Sequence, residues 1–229
     1  SSSSFTVALL NALHTYQGDY VSRKELAEEA CHVEIDILGE PIGKQDQYMA
    51  AFGGITCLTF DKDGTVLVEP LRITDETLDQ LESNLLFFFT GKERSASEIL
   101  REQDEKSKKN DSAMDQNLHQ VKNIGLKTRE YLERGNVDML GELLRTHWEI
   151  KKQRSQKMSD PFIDECYDVA LKSGAIGGKL MGAGGGGFFM FYCRSDKKAS
   201  VSEALVKMGL RREKFNIDWE GAKILLNSK

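Results

Sequence analysis

The sequence predicts an α+β protein, and three observations carry that prediction. Apolar residues recur at helical spacing over several long stretches. Two strand-like runs flank the turn Asp61-Lys62-Asp63-Gly64. Strands and helices interleave without a regular βαβ repeat.

The elements follow in order. Phe5, Val7, Leu9, Leu10, Ala12, Leu13 and Tyr16 predict a helix ending near Gly18, apolar on nearly every side and therefore in need of cover. Ser1 to Ser4 stand at its start, where hydroxyls accept from unpaired first-turn N–H groups. A helix at that point should follow a loop, so the chain reads as truncated, or as preceded by a further segment. Ser22-x-x-Glu25 matches a capping box and opens a second helix running through Leu26, Ala27 and Ala30 towards Val33. Leu38 to Gly43, punctuated by glycine and proline, is a loop, and Gln45 to Phe52 a short helix closed by Gly53-Gly54. Residues 55–60 and 65–69 form the hairpin around Asp61 to Gly64, and 70–75 a domain junction.

In the second half, Asn84 to Thr90 is a buried strand and Ser95 to Arg134 one long helix. The nearly all-polar part of that helix, Arg101 to Ser112, is either solvated helix or mobile loop, and Lys106, Lys108 and Lys109 are a solvated charge run. Val137 to Lys152 carries Leu140, Leu144 and Trp148 in line. Asp160-Pro161 caps a helix that stops at Gly174. A glycine-rich loop then leads into a strand, Phe188 to Cys193. A helix from Lys197 to Met208, a strand around Lys214 to Ile217 and a short run from Ala222 to Leu226 finish the chain.

Composition bounds the function. The chain has 229 residues, 40% hydrophobic and 29% charged, an ordinary globular balance. A net charge of -5 argues against a nucleic-acid or anionic-membrane partner. Cys31, Cys57, Cys166 and Cys193 are scattered, with no metal-ligand spacing, which suits reduced thiols in the cytoplasm. No apolar run approaches the roughly 20 residues that span a bilayer. His14, His32, His119 and His147 share no metal spacing and read as packing or surface residues.

Three segments carry chemistry. In Lys179-Leu-Met-Gly-Ala-Gly-Gly-Gly-Gly-Phe188, five glycines in six positions suit bare backbone N–H groups approaching a phosphate or substrate closely; a flexible connector is the plainer alternative. The loop is not Walker A, which needs Lys-Ser/Thr after the last glycine. The hydroxyls of Ser1 to Ser4 at a helix N-terminus are an anion site and a source of Mg²⁺ ligands, or simply a cap. Glu34, Lys44 and Asp46 lie in or beside a Gly- and Pro-shaped loop. They are the residue types phosphoryl transfer needs to hold a metal, orient a hydroxyl and meet the equatorial oxygens, though surface loops often carry such charges.

Together these segments resemble the GHMP kinases, the family of galactokinase, homoserine kinase, mevalonate kinase and phosphomevalonate kinase. Lys179 to Phe188 is similar to its third motif, Lys-x-x-Gly-Ala-Gly-Gly-Gly-Gly. Ser1 to Ser4 resemble the tail of its second, without the Gly-Leu-Gly half. Gly43-x-x-Asp46-Gln47 resembles the catalytic stretch of galactokinases, and Glu34, twelve positions earlier, falls where these place a magnesium-binding glutamate. Glu40 to Tyr48 followed by Phe52-Gly53-Gly54, and Phe89 to Ser97, most resemble the branch of bacterial D-glycero-D-manno-heptose 7-phosphate kinases.

The resemblance implies a two-domain fold, with the remainder of an N-terminal domain over 1–75 and a ferredoxin-like C-terminal domain over 76–229. It implies transfer of the ATP γ-phosphoryl group to the anomeric hydroxyl of a sugar 7-phosphate. ATP would be bound by Ser1, Ser2 and Ser3 and by Gly182, Ala183, Gly184, Gly185 and Gly186, and Mg²⁺ held by Ser2 and Glu34. Asp46 would be the catalytic carboxylate. Lys44 would keep Asp46 ionised or touch a phosphate, unless it is a solvated lysine. Gln47, Gly184 and Arg94 would meet the sugar, Arg94 by forking onto its phosphate, unless it makes a surface salt bridge. A hexose kinase and a non-catalytic sugar and ATP sensor are the rival expectations. The partner is a small sugar or sugar phosphate; the assembly state is open, a homodimer included.

Overall fold

A computed structural model describes residues 2–92, 96–108 and 111–226, the side chains of 96–98 excepted. The chain divides into two compact units. One runs through Leu71 and takes back the segment from Ile217; the other is Arg72–Asn216. The expected boundary at 75/76 compares with this division at 71/72, and residues from Ile217, expected in the second domain, pack with the first. Gly54 N–H donates to Asp218 O at 2.6 Å and Ala222 N–H to Ala50 O at 2.8 Å.

In the first unit, α1 (Ser2–Gln17), α2 (Arg23–Cys31) and α3 (Gln45–Phe52) pack pairwise around Val7, Leu26, Ala27, Ala30, Cys31, Tyr48 and Ala51. Ser22 closes a true capping box with Glu25, as its spacing requires. The expected need of α1 for cover is met on one face only: Ser3 and Val7, one turn apart, are buried, while Phe5 and Tyr16 stand 68% and 73% exposed. α2 does not stop at Val33 but continues as a π-helical turn, His32–Ile37, in which Leu38 N–H reaches back five residues to Val33 O. The hairpin β1 (Thr56–Phe60) and β2 (Val66–Pro70) turns at Asp61 to Gly64 as expected.

The second unit holds α4 (Asp75–Asn84), β3 (Leu85–Phe89), α5 (Ala96–Lys108), α6 (Ser112–Glu133), α7 (Asp138–Lys152), α8 (Pro161–Lys172), β4 (Gly177–Leu180), β5 (Phe188–Tyr192), α9 (Lys198–Lys207) and β6 (Arg211–Glu213). The sheet is antiparallel in the order β4-β5-β3-β6, with helices between β3 and β4 and between β5 and β6, which is the ferredoxin-like topology. Phe88, Phe189, Phe191, Leu180 and Leu86 on one sheet face meet Trp148, Tyr167, Ile163, Val201 and Leu205 in its core.

Four elements depart from expectation. α4 occupies the end of the expected junction and the residues after it, capped by Thr74. The single helix over 95–134 is two, because the Asp111 carboxylate accepts from Ala113 N and Met114 N and starts α6 afresh. A strand, β4, precedes the glycine loop. The final strand is Arg211–Glu213 and not Lys214 to Ile217; Phe215 instead lays its ring on Phe87, centroids 4.6 Å apart.

Candidate functional site

The site residues fall into the two units, and each group has its own geometry. Ser1 and Arg94 lie outside the described residues.

In the first unit, the π turn carries Glu34 inward. The wider turn rotates the residues after Cys31 away from the α-helical register, and such turns recur at functional sites. Glu34 is buried, 2% exposed, and its Oε2 accepts from Gln47 Nε2 at 2.6 Å. Gln47, expected at the sugar, is fully buried on α3, where its amide holds Glu34. Its Oε1 is buried with no hydrogen-bond partner among the described residues. Asp46, one residue earlier, projects to solvent from the first turn of α3. The Lys44 ammonium donates to Gly64 O at 3.2 Å. Ser2 is exposed at the tip of α1. Ser3 is buried on the same face as Val7, the face turned to α2 and α3.

A carboxylate removed from water normally has a cation beside it, since an unpaired buried charge is costly. Glu34 has no such partner among the described residues, and an amide oxygen sits orphaned on the residue that holds it. That combination fits a hard divalent cation. No group of three or more His, Cys, Asp and Glu forms a metal cage among the described residues. Two surface hollows in this unit, one around His14, Asp19 and Glu29 and one around Cys31, Asp36 and Tyr48, include neither Glu34 nor Asp46, although the second reaches Lys44.

In the second unit, the glycine loop is the hairpin connection from β4 to β5. It is pinned at its ends. Gly185 N–H donates to Met158 O at 3.0 Å and Gly187 N–H to Lys92 O at 2.9 Å. The Lys151 ammonium donates to Leu180 O at 3.1 Å and Gly182 O at 2.5 Å, turning those carbonyls inward. Among the described residues the N–H groups of Gly182, Ala183, Gly184 and Gly186 have no partner, so bare donors are offered as the composition implied. A Cβ at Gly184 would lie 2.2 Å from Met158 Sδ, and one at Gly186 would lie 2.6 Å from Lys92 O. Tight seating, not looseness, explains glycine at these two positions.

Sequence reasoning missed the base of the loop. Burial and the positive charges of Lys179 and Arg154 pull Lys151 down to about 7. Lys179 falls to about 8 from burial and Arg154. His147 is pushed down to about 3 by burial and the three cations around it. Lys151 continues the line of Leu140, Leu144 and Trp148 by a further helical step, and a lysine on an apolar stripe was the signal.

Comparison with known proteins places the chain in a family. The profile of the GHMP kinases N terminal domain matches residues 1–54, and that of the GHMP kinases C terminal matches residues 128–209. A D-glycero-alpha-D-manno-heptose 7-phosphate kinase of Campylobacter jejuni is 32% identical over 97% of this chain and 65% of its own length. A galactokinase of Pyrococcus furiosus is 26% identical over 90% of this chain and 64% of its own. The crystal structure of a D-glycero-D-manno-heptose 1-phosphate kinase from Bacteroides thetaiotaomicron superimposes with a TM-score of 0.74 at 28% identity, over 96% of this chain and 61% of that one. The chain thus spans less than two thirds of the length of these relatives. With both family profiles matching in order over more than half of its length, the chain belongs to the GHMP kinases.

Proposed function

We propose that the protein is an ATP-dependent sugar kinase that phosphorylates the anomeric hydroxyl of a heptose 7-phosphate. The observation that carries the reading is the buried Glu34, held by Gln47 with no cation beside it among the described residues, and the exposed carboxylate of Asp46, next to Gln47 on the same three-helix unit.

Glu34 and Ser2 would hold Mg²⁺, which when bound neutralises charge on the nucleotide's phosphate oxygens. The first-turn N–H groups of α1, with the Ser2 hydroxyl, are donors suited to phosphate oxygens, and so, in the second unit, are the amides of Gly182, Ala183, Gly184 and Gly186, unpartnered among the described residues. Gly185 has spent its amide on Met158 O and serves by shaping the loop. Asp46 accepts a hydrogen bond from the sugar hydroxyl. As the hydroxyl oxygen bonds to the γ-phosphorus and the bond to ADP breaks, the proton passes to the Asp46 carboxylate. Such assistance is worth ~10²–10⁴ in rate. Arg94 remains a candidate for the sugar's own phosphate. The protein acts on a small molecule. No helix among the described residues is long and apolar enough to cross a membrane.

The 32% identity to a heptose 7-phosphate kinase supports this acceptor over a hexose. The test is ADP release with Mg-ATP against a panel of acceptors. Heptose 7-phosphate should exceed unphosphorylated heptose, galactose and fucose at least 100-fold in kcat/KM. An unphosphorylated hexose turned over as well would overturn the acceptor assignment.

A further inference from the structure

The base of the glycine loop holds more positive charge than the described residues neutralise. Four basic side chains converge there: His147 and Lys151 on α7, Arg154 just beyond it, and Lys179 on β4. Lys179 Nζ lies 3.3 Å from His147 Nδ1. Because His147 is held neutral, its Nδ1 accepts from Lys179 and its proton resides on Nε2, which is left as a donor. Arg154 Nε donates to Asn117 Oδ1 at 2.8 Å, and Asn117, 6% exposed, is fixed by its own bond to Ile150 O at 2.6 Å.

The donors are not used up. An ammonium has three N–H groups, and Lys179 spends one. Arg154 Nη2 is buried with no partner among the described residues. No carboxylate forms an ion pair with Lys151, Arg154 or Lys179 among the described residues. Glu102, which accepts from Ser155 Oγ at 2.6 Å beside Arg154, is engaged by Lys106 at 2.7 Å. Like charges gathered away from water repel and desolvate one another, a cost that an anion with several oxygens removes. Lys179 and Arg154 are partly buried residues.

We infer that His147, Arg154 and Lys179, backed by Lys151, form a pocket for a phosphoryl dianion at the base of the glycine loop. Its assignment to the phosphate that the acceptor sugar already carries rests on the function proposed above; the pocket itself does not. Lys151 has spent two of its donors on loop carbonyls, so it fixes the loop, while Lys179 and Arg154 contribute contacts.

The test needs no turnover. Inorganic phosphate is titrated calorimetrically into the protein at pH 8 in two buffers of different ionisation enthalpy, at ionic strength matched with chloride. Binding of a dianion beside Lys179 raises that lysine's affinity for its proton, so the expected result is phosphate binding with net proton uptake. Lys179→Met should weaken it at least tenfold and Lys179→Arg retain it. Arg154→Gln serves as a second variant should Lys179→Met unfold. No phosphate binding by the wild type, or equal binding by a folded Lys179→Met, would overturn the pocket. Competition then identifies the source. Displacement of phosphate by heptose 7-phosphate, and not by heptose or Mg-ATP, supports the acceptor assignment; displacement by Mg-ATP alone overturns it and leaves the pocket to the nucleotide. Loss of kinase activity in the panel above would leave the phosphate titration unaffected, so the two readings fail separately.

Discussion

Replacing Lys151 with methionine separates the cost of a buried charge from its use. The side chain is 7% exposed and burial is the largest cause of its fall from 10.5 to about 7. In the unfolded chain the lysine keeps its ordinary affinity, so between pH 7 and 10.5 the unfolded state binds the proton and the folded state does not. Stability from this group therefore rises as pH rises through that window, and the full penalty is present below pH 7. A shift from 10.5 to about 7 corresponds to ~4–5 kcal/mol at 1.36 kcal/mol per unit. From pH 6 to pH 9.5, ~3 kcal/mol of that should be recovered by the wild type and not by Lys151→Met. The substitution also strands the carbonyls of Leu180 and Gly182, at about 1–3 kcal/mol each, but that loss does not depend on pH. Urea unfolding in a Trp219→Phe background, followed through Trp148, reads the second unit alone, since Trp148 is fully buried in its core. The difference between wild type and Lys151→Met should change by about 3 kcal/mol across the range, always in favour of the wild type as pH rises. A difference constant to within about 0.5 kcal/mol would refute the buried, uncompensated charge. Lys179 titrates beside it, and losing a cationic neighbour should raise its proton affinity in the variant.

Two further outcomes test the geometry. Gln47→Leu removes a hydrogen bond to a carboxylate, worth ~1.5–3 kcal/mol, and with it the orphaned Oε1, so unfolding free energy should change by less than about 2 kcal/mol while the Mg²⁺ concentration for half-maximal nucleotide binding rises about tenfold. An unchanged Mg²⁺ dependence would remove Gln47 from the positioning of Glu34. Gly184→Ala places a Cβ 2.2 Å from Met158 Sδ at a φ of 106°, and should cost ~1–3 kcal/mol; a variant as stable as the wild type in thermal unfolding would contradict the tight seating of the loop.

The parts that were legible in the sequence are those with local chemistry. The capping box at Ser22, the hairpin turn at Asp61 to Gly64, the Asp160-Pro161 cap and the polyglycine run each have a cause within a few residues. What escaped has its cause elsewhere in the chain. The π turn at His32–Ile37 brings Glu34 to Gln47, thirteen residues on, and nothing in His-Val-Glu-Ile-Asp-Ile marks it. β4 is half glycine, and only its pairing with β5 makes it a strand; at Gly177 a Cβ would strike Gly141 O on α7. The split between α5 and α6 rests on one aspartate inside a polar run. Charges mislead most. Lys106, read as solvated, bonds Glu102 and the carbonyl of Arg154, and Lys179 and Lys151 are packed beneath a loop whose glycines drew all the attention. Asp46 and Gln47 are neighbours in sequence, yet on a helix adjacent residues face different ways, and here Asp46 faces water and Gln47 the core.

The most direct test of the central claim is ³¹P NMR of the protein with Mg-ATP and heptose 7-phosphate. The account predicts a new phosphate ester coupled to the anomeric proton, formed one-for-one with ADP. In Asp46→Asn its rate should fall at least 100-fold while ATP binding is preserved. ADP formed without that ester, or a variant retaining more than a tenth of the wild-type rate, would contradict it.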